Sequence, residues 1–258
     1  MVDQPGTTPH AGARHSAPRR PLDEPVIVGS VLGADYANLG NEVASLTAAG
    51  VGRIQWDVMD RRFVPNMTFG PDVVAACRKY GDVPFEAHLM VQDPDPMLAD
   101  FVAAGCETVI VHAETCPHLL RTLATIRELG AQAGVAVNPS TPLNFVHHVL
   151  DHLDEIVIMT VNPGFGGQKY IPAMEEKVAE MRALVDGSGR AVQIEVDGGI
   201  STATAKAAWY AGAELLVAGS AVLSHPGGKK AAVAELHRAM TSPQPETVNG
   251  SSVHRRLA

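Results

Sequence analysis

The chain has 258 residues, 46% of them hydrophobic and 19% charged, and a formal net charge of −8. That length admits one large barrel or two small domains, and the composition is that of an ordinary globular protein with enough apolar residues for a sizeable core. The acidic balance argues against a nucleic-acid binder, because phosphate neutralisation needs clustered Lys and Arg, and dense basic spots occur only at Arg19–Arg20, Arg61–Arg62 and Lys229–Lys230.

No membrane association is expected. Apolar stretches such as "AELLVAGSAVL" fall short of the roughly 18–20 residues a spanning helix needs. The start, "MVDQPGTTPHAGARHSAPRRP", lacks the apolar centre of a secretory signal. Cys77, Cys106 and Cys116 form no C-x-x-C pair and leave one odd, which speaks against a disulfide framework and for a reducing cytoplasm. The sequon at Asn249 would matter only in a secreted protein.

In chain order, residues 1–24 are rich in Pro, Gly, Thr, Ala and His without an apolar period, and residues 241–258 are similar. Both read as disordered tails. Between them run eight short β-branched segments: "VIVGSVL", "GRIQWDVM", "VPFEAHLM", "ETVIVHA", "QAGVAV", "EIVIMTV", "AVQIEVD" and "ELLVAGS". Amphipathic segments follow them, at Gly40–Ala49, Pro71–Tyr80, Pro94–Ala104, Pro117–Leu129, Leu143–Leu150, Tyr170–Val185, Thr202–Ala211 and Lys229–Met240. Several open near Pro or Thr and close on Gly, the usual helix punctuation. Eight βα units predict an α/β protein with a single (β/α)8 TIM barrel over residues 25–240. A doubly wound open sheet is the alternative, but "VGSVLGAD" lacks its glycine fingerprint.

A barrel directs attention to the C-terminal ends of its strands. Polar residues there are Ser30 on strand 1, Gln55 and Asp57 on strand 2, His88 on strand 3 and Asp197 on strand 7. Gln55 and Asp57 are two apart and share a face. Strand 7 is three steps around the ring from strand 2, so Asp197 stands across the mouth from Asp57. Two opposed carboxylates suit removal of a proton from one face of a carbon and its delivery to the other. Such chemistry needs an electrophile, and a divalent metal held by carboxylates and imidazole is one solution. Taken singly, His88 is more readily a packed core histidine than a ligand, and each Asp as readily a cap or turn former as a catalyst.

Glycines give a second clue. "NPGFGGQ" (162–168), "DGGIS" and "AGS" close strands 6, 7 and 8. Exposed backbone N–H groups at such turns bind anions, and barrel phosphates often sit after strands 7 and 8. The bland alternative is that the glycines only turn the chain. "HHVLDH", with His147, His148 and His152, reads as a solvated helix face rather than a metal site.

The segments "GSVLGAD", "DVMD", "FVPN", "FGPDVV", "AHLM", "VHAE", "AGVAVNPSTPL", "IMTVNPGFGGQKYIP", "IEVDGGI" and "AGSAV" resemble ribulose-phosphate 3-epimerases in order and spacing, over about residues 25–240. The resemblance implies a (β/α)8 barrel that interconverts D-ribulose 5-phosphate and D-xylulose 5-phosphate, with two aspartates as acid and base and a divalent metal (Zn, Fe, Mn or Mg). Carried over by position, it implies Asp57 and Asp197 as the acid–base pair and, with His88, as metal ligands. It implies substrate contacts from Ser30 and His88, from Met59, Met90 and Met159 around the reaction centre, and from Gly164, Phe165, Gly166, Gly167, Gly198, Gly199, Gly219 and Ser220 around the phosphate.

Three positions depart from the family pattern. Gln55 stands where the family has its other metal-binding histidine, Arg61 where it has glycine, and Gly33 where a Ser or Asn is usual. An amide oxygen is a weaker and harder ligand than imidazole. Gln55 therefore implies weakened metal affinity, a shift toward Mn²⁺ or Mg²⁺, or a site without metal in which Arg61 helps hold an enediolate. The leading expectation is a sugar-phosphate 3-epimerase acting on a phosphorylated ketose, and homo-oligomerisation is common among such barrels. Alternatives are a divergent paralogue acting on another phosphorylated sugar and a non-catalytic sugar-phosphate binder.

Overall fold

The computed structural model describes residues 24–242; both expected tails, Arg19–Arg20 and the Asn249 sequon lie essentially outside that range. Eight parallel strands close into a barrel in chain order: β1 (Val26–Ser30), β2 (Arg53–Met59), β3 (Phe85–Met90), β4 (Thr108–His112), β5 (Gln132–Val137), β6 (Glu155–Met159), β7 (Gln193–Asp197) and β8 (Leu215–Ala218). These are the eight β-branched runs. They are covered on both faces, which is why they read as continuous apolar stretches rather than alternating ones.

β2 shows how the pleat sorts its residues. All seven are buried, but Ile54, Trp56 and Val58 join the outer core beneath the helices, where the Trp56 ring packs against Phe69 and Phe85. Arg53, Gln55, Asp57 and Met59 take the other face, toward the barrel axis. The register pairs Asp57 with His88 and Met159 with Asp197, which brings the polar residues of β2, β3 and β7 to one end.

The helices are α1 (Leu39–Ala49), α2 (Pro71–Cys77), α3 (Leu98–Ala103), α4 (Leu119–Glu128), α5 (Met174–Ser188), α6 (Ala205–Ala211), α7 (Ser220–Leu223) and α8 (Lys229–Thr241). α1 stops where expected, at Gly50, whose left-handed φ of 95° lets its N–H close on Thr47 O. Two expectations need correcting. Leu143–Leu150 is not an α-helix but two 3₁₀ turns, Asn144–His148 and Leu150–His152; its Asn, Val, His and Asp residues are poor helix formers and the segment is short. The helical layer after β8 is instead double, α7 and then α8. Elsewhere helices begin late, as with α5 after Pro172 and α3 after the 3₁₀ turn Asp95–Met97. Among the described residues no helix is long and apolar enough to cross a membrane.

Candidate active site

At the C-terminal ends of the strands lies a cavity of about 400 Å³. Ser30, Asp57, Asp197, Met59, Met90 and Met159 line it, as do the loops carrying Gly164–Gly167, Gly198–Gly199 and Gly219–Ser220. Expected site residues from six of the eight βα units thus meet in one place. His88 and Gln55 do not line the cavity; both are fully buried just beneath it. His88, expected above as a substrate contact, touches both aspartates from beneath the cavity.

The floor is a tight quartet of atoms. Gln55 Nε2 donates to Asp57 Oδ1 and Asp197 Oδ2, each at 2.9 Å. His88 Nδ1 lies 3.2 Å and 3.3 Å from the same two oxygens. Ser30 Oγ donates to the other Asp57 oxygen at 2.6 Å. Burial opposes a charge on His88, but hydrogen bonds to Asp197 and Asp57 and their negative charges outweigh it and raise its pKa to about 9. Burial likewise raises the Asp197 pKa, helped by the charge of Asp57 and opposed by His88 and Gln55.

Behind His88 stands a residue the sequence reading passed over. His112, at the end of β4, is fully buried and stacked on His88, with the two Nε2 atoms 2.9 Å apart. Burial, together with the neighbouring His88 charge, lowers its pKa to about 4 despite Glu114, so it is neutral. Its Nδ1 is 3.2 Å from Glu114 Oε2. That fixes the protons: His112 Nδ1–H donates to Glu114, and His112 Nε2 accepts from His88. Glu114 also accepts from Asn138 N at 2.8 Å and from Thr141 Oγ1. Burial would raise its pKa, but these bonds hold it near 2. The motif "VHAE" carried both residues, but a strand-end His is not distinguishable by composition from a packed one.

The surrounding loops are tied from below. Gln168 Nε2 donates to Asn162 O and Phe165 O and clasps the 162–168 turn. Thr160 Oγ1 donates to Gly198 O at 2.6 Å, linking the ends of β6 and β7. Gly199 has φ 67°, and a Cβ there would lie 2.5 Å from Tyr170 N, so only glycine fits. Gly33 lines the cavity, and a Cβ there would meet only Leu223 at 3.6 Å.

Within "DVMDRRF" the two carboxylates have separate tasks. Asp60 Oδ1 accepts from the backbone N–H of Arg62 and Phe63, and Oδ2 from Gln92 N. Burial works against its charge, but these bonds lower its pKa; it pins the loop. Arg61 is exposed, sits in left-handed backbone at φ 59° and is absent from the cavity lining. That position does not support the expectation that Arg61 stands in for a metal. His147 and His148 are exposed and His152 half-buried, in keeping with a solvated surface.

A second polar cluster, unforeseen, fills the other end of the barrel. Arg53 Nη1 contacts Glu86 Oε2 at 3.1 Å and Glu155 Oε2 at 2.5 Å, and Nη2 donates to Gln193 Oε1 at 2.6 Å. Glu86, Glu155 and Glu195 are all fully buried. Burial and the Glu155 charge, against the opposing Arg53, raise Glu86 to about 8. Burial raises Glu195 strongly as well.

Three carboxylate or imidazole donors of the upper site, from Asp57, His88 and Asp197, lie within 4.8 Å of one another. Two hard oxygens and one nitrogen suit a divalent ion. The Gln55 Oε1 atom is buried and has no hydrogen-bond partner, so the amide has an oxygen to spare for a fourth position. The residues present therefore fit a metal.

The model of the ribulose-phosphate 3 epimerase family matches residues 26–223. The chain belongs to that family. It is 48% identical over 206 residues to a ribulose-phosphate 3-epimerase of Bacillus subtilis (strain 168), covering 80% of this chain and 95% of the relative. It is 44% identical over 225 residues to the Synechocystis ribulose-phosphate 3-epimerase, covering 86% and 98%. Among solved structures it is similar to a 3-hexulose-6-phosphate synthase (TM-score 0.63, 20% identity, 83% of this chain and 99% of that one). It is also similar to a 3-keto-L-gulonate-6-phosphate decarboxylase from Vibrio cholerae (TM-score 0.63, 15% identity, 86% and 100%). At those identities the likeness speaks of the barrel alone.

Proposed function

We propose that the chain is a sugar-phosphate 3-epimerase that interconverts D-ribulose 5-phosphate and D-xylulose 5-phosphate by two-base proton transfer. The observation that carries this reading is the pair Asp57 and Asp197, which line one cavity and share the donors Gln55 and His88. A phosphate binder would need the glycine loops but not this pair.

One aspartate removes the proton from C3 of the ketose, and the other returns a proton to the opposite face of the enediolate. Asp197, whose pKa burial raises, suits the acid's part, and Asp57, which accepts from Ser30, Gln55 and His88, suits the base's. Met59, Met90 and Met159 give the reaction centre an apolar wall, which excludes water from the enediolate. The N–H groups of the turns at Gly164–Gly167, Gly198–Gly199 and Gly219–Ser220 are the binding surface for the phosphate. Asp57, His88 and Asp197, with Gln55 as a fourth donor, would hold a divalent ion, which supplies Lewis-acid stabilisation of the negative charge building on the sugar oxygen. Three unpaired cysteines, all buried, support a reducing cytoplasm as the setting.

The test is deuterium uptake at C3 of ribulose 5-phosphate in heavy water. Asp57→Asn and Asp197→Asn should each lower conversion to xylulose 5-phosphate by about 10²–10⁴-fold or more, while C3 exchange of ribulose 5-phosphate survives in one of the two at most. Full conversion in either variant, or full exchange in both, refutes the two-base mechanism. Saturable binding of the phosphate ester by the natural chain, with no exchange, would favour the binder.

A further inference from the structure

We propose that the Gln55 amide is a two-position element of the metal site. With its nitrogen inward it ties Asp57 to Asp197 when no ion is bound; with its oxygen inward it ligates, and so steers the site toward Mn²⁺ or Mg²⁺ over Zn²⁺. This rests on the epimerase reading of the same site.

The argument starts from what faces the amide. Its Nε2 lies 2.9 Å from one oxygen of each aspartate. Facing two carboxylates, only the NH2 end is attractive, and it alone offers one hydrogen to each from a single atom. A neutral imidazole nitrogen at that position could offer at most one. An amide nitrogen has no lone pair free to ligate, so a bound cation must face Oε1 instead.

The half-turn of the amide is the small motion that exchanges the two ends. Gln55 is fully buried and its Oε1 has no hydrogen-bond partner. Turning it therefore breaks no acceptor bond. It gives up two N–H···O bonds, and the aspartates exchange that attraction for the ion's. His88 touches the same two oxygens from a separate strand, so the pair stays bridged while the amide turns.

The ligand chemistry sets the preference. A family-type site offers two imidazoles and two carboxylates. Here the donors become three oxygens and one nitrogen, a harder set, which discriminates less in favour of zinc and more in favour of oxygen-seeking ions. The preference follows from Gln55 itself, whatever sugar occupies the cavity.

The experiment titrates metal-stripped full-length protein, without substrate, with Zn²⁺ and with Mn²⁺ by competition calorimetry, for the natural chain and for Gln55→His. The ratio of Mn²⁺ to Zn²⁺ affinity should be about 10-fold or more higher in the natural chain. A ratio unchanged by the substitution overturns the proposal. A second readout needs no variant to fold: in protein labelled with ¹⁵N at glutamine side chains, saturating Mg²⁺ should shift the Gln55 NH2 signals. Unmoved signals at saturation, or no binding of Mg²⁺ or Mn²⁺, overturn it as well. C3 exchange is measured separately, so loss of turnover with the ion preference intact counts against the epimerase reading alone.

Discussion

Replacing Glu86 by Gln should stabilise the barrel at neutral pH. Glu86 is fully buried, and its pKa stands near 8 against an ordinary 4.5. A carboxyl whose folded pKa is raised contributes its full share of stability below its unfolded pKa and loses it as pH rises toward the folded one. The window is therefore about pH 4.5–8, with stability falling as pH rises through it. At pH 7 the folded side chain is mostly protonated while the unfolded one is not. The two and a half pH units in between correspond to a cost on the order of 3 kcal/mol, an upper bound because the neighbouring Glu195 is raised as well and the two take up protons together. Glutamine matches the protonated acid in shape and still offers an oxygen to Arg53, 3.1 Å away. Urea unfolding of both chains at half-unit steps from pH 5 to 8 should show curves that converge near pH 5 and separate toward pH 8, with Glu86→Gln the more stable and the flatter. A variant less stable at every pH, or a slope unchanged by the substitution, would show that Glu86 is an ionised partner of Arg53 and refute the reasoning.

Arg61→Gly should raise stability by up to about 1 kcal/mol, since relief of a left-handed residue outweighs the added freedom of the unfolded chain. It should leave the exchange rate unchanged because Arg61 is exposed and away from the cavity lining; thermal unfolding and the C3 assay check both. Glu114→Gln leaves one acceptor oxygen for three donors, His112 Nδ1 beneath His88 against Asn138 N and Thr141 Oγ1, and metal affinity should fall about 10–100-fold. The same variant should lose less stability than the natural chain in acid. Glu114, held near 2, gives stability that is present above its ordinary 4.5 and lost as pH falls through the folded value. Calorimetric metal titration and acid unfolding are the measurements.

The barrel was legible because buried parallel strands leave continuous β-branched runs and the turns between them leave glycine and proline. The aspartates, His88 and the glycine loops were legible through their places at strand ends and the family pattern. Leu143–Leu150 was misread because an apolar spacing near 3.6 fits a 3₁₀ turn as well over so short a stretch. The Arg53–Glu86–Glu155–Glu195 cluster was missed although the signal existed: Glu86 is two residues before His88, and Glu195 two before Asp197, so each shares its inward face. Barrel interiors are usually apolar, and that expectation hid three buried acids. His112 was missed because its part depends on a 2.9 Å contact with a residue 24 positions away, which no local pattern encodes.

The cavity takes Ser30 from the first strand and Gly219 and Ser220 from the end of the last, and β1 pairs directly with β8. A chain still being synthesised can lay down Asp57 and His88 side by side on adjacent strands, yet it has no complete pocket until the ring shuts. The complete cavity and ring closure thus arrive together: a truncated or nicked barrel lacking β8 would carry Asp57 and Asp197 without the chamber they line.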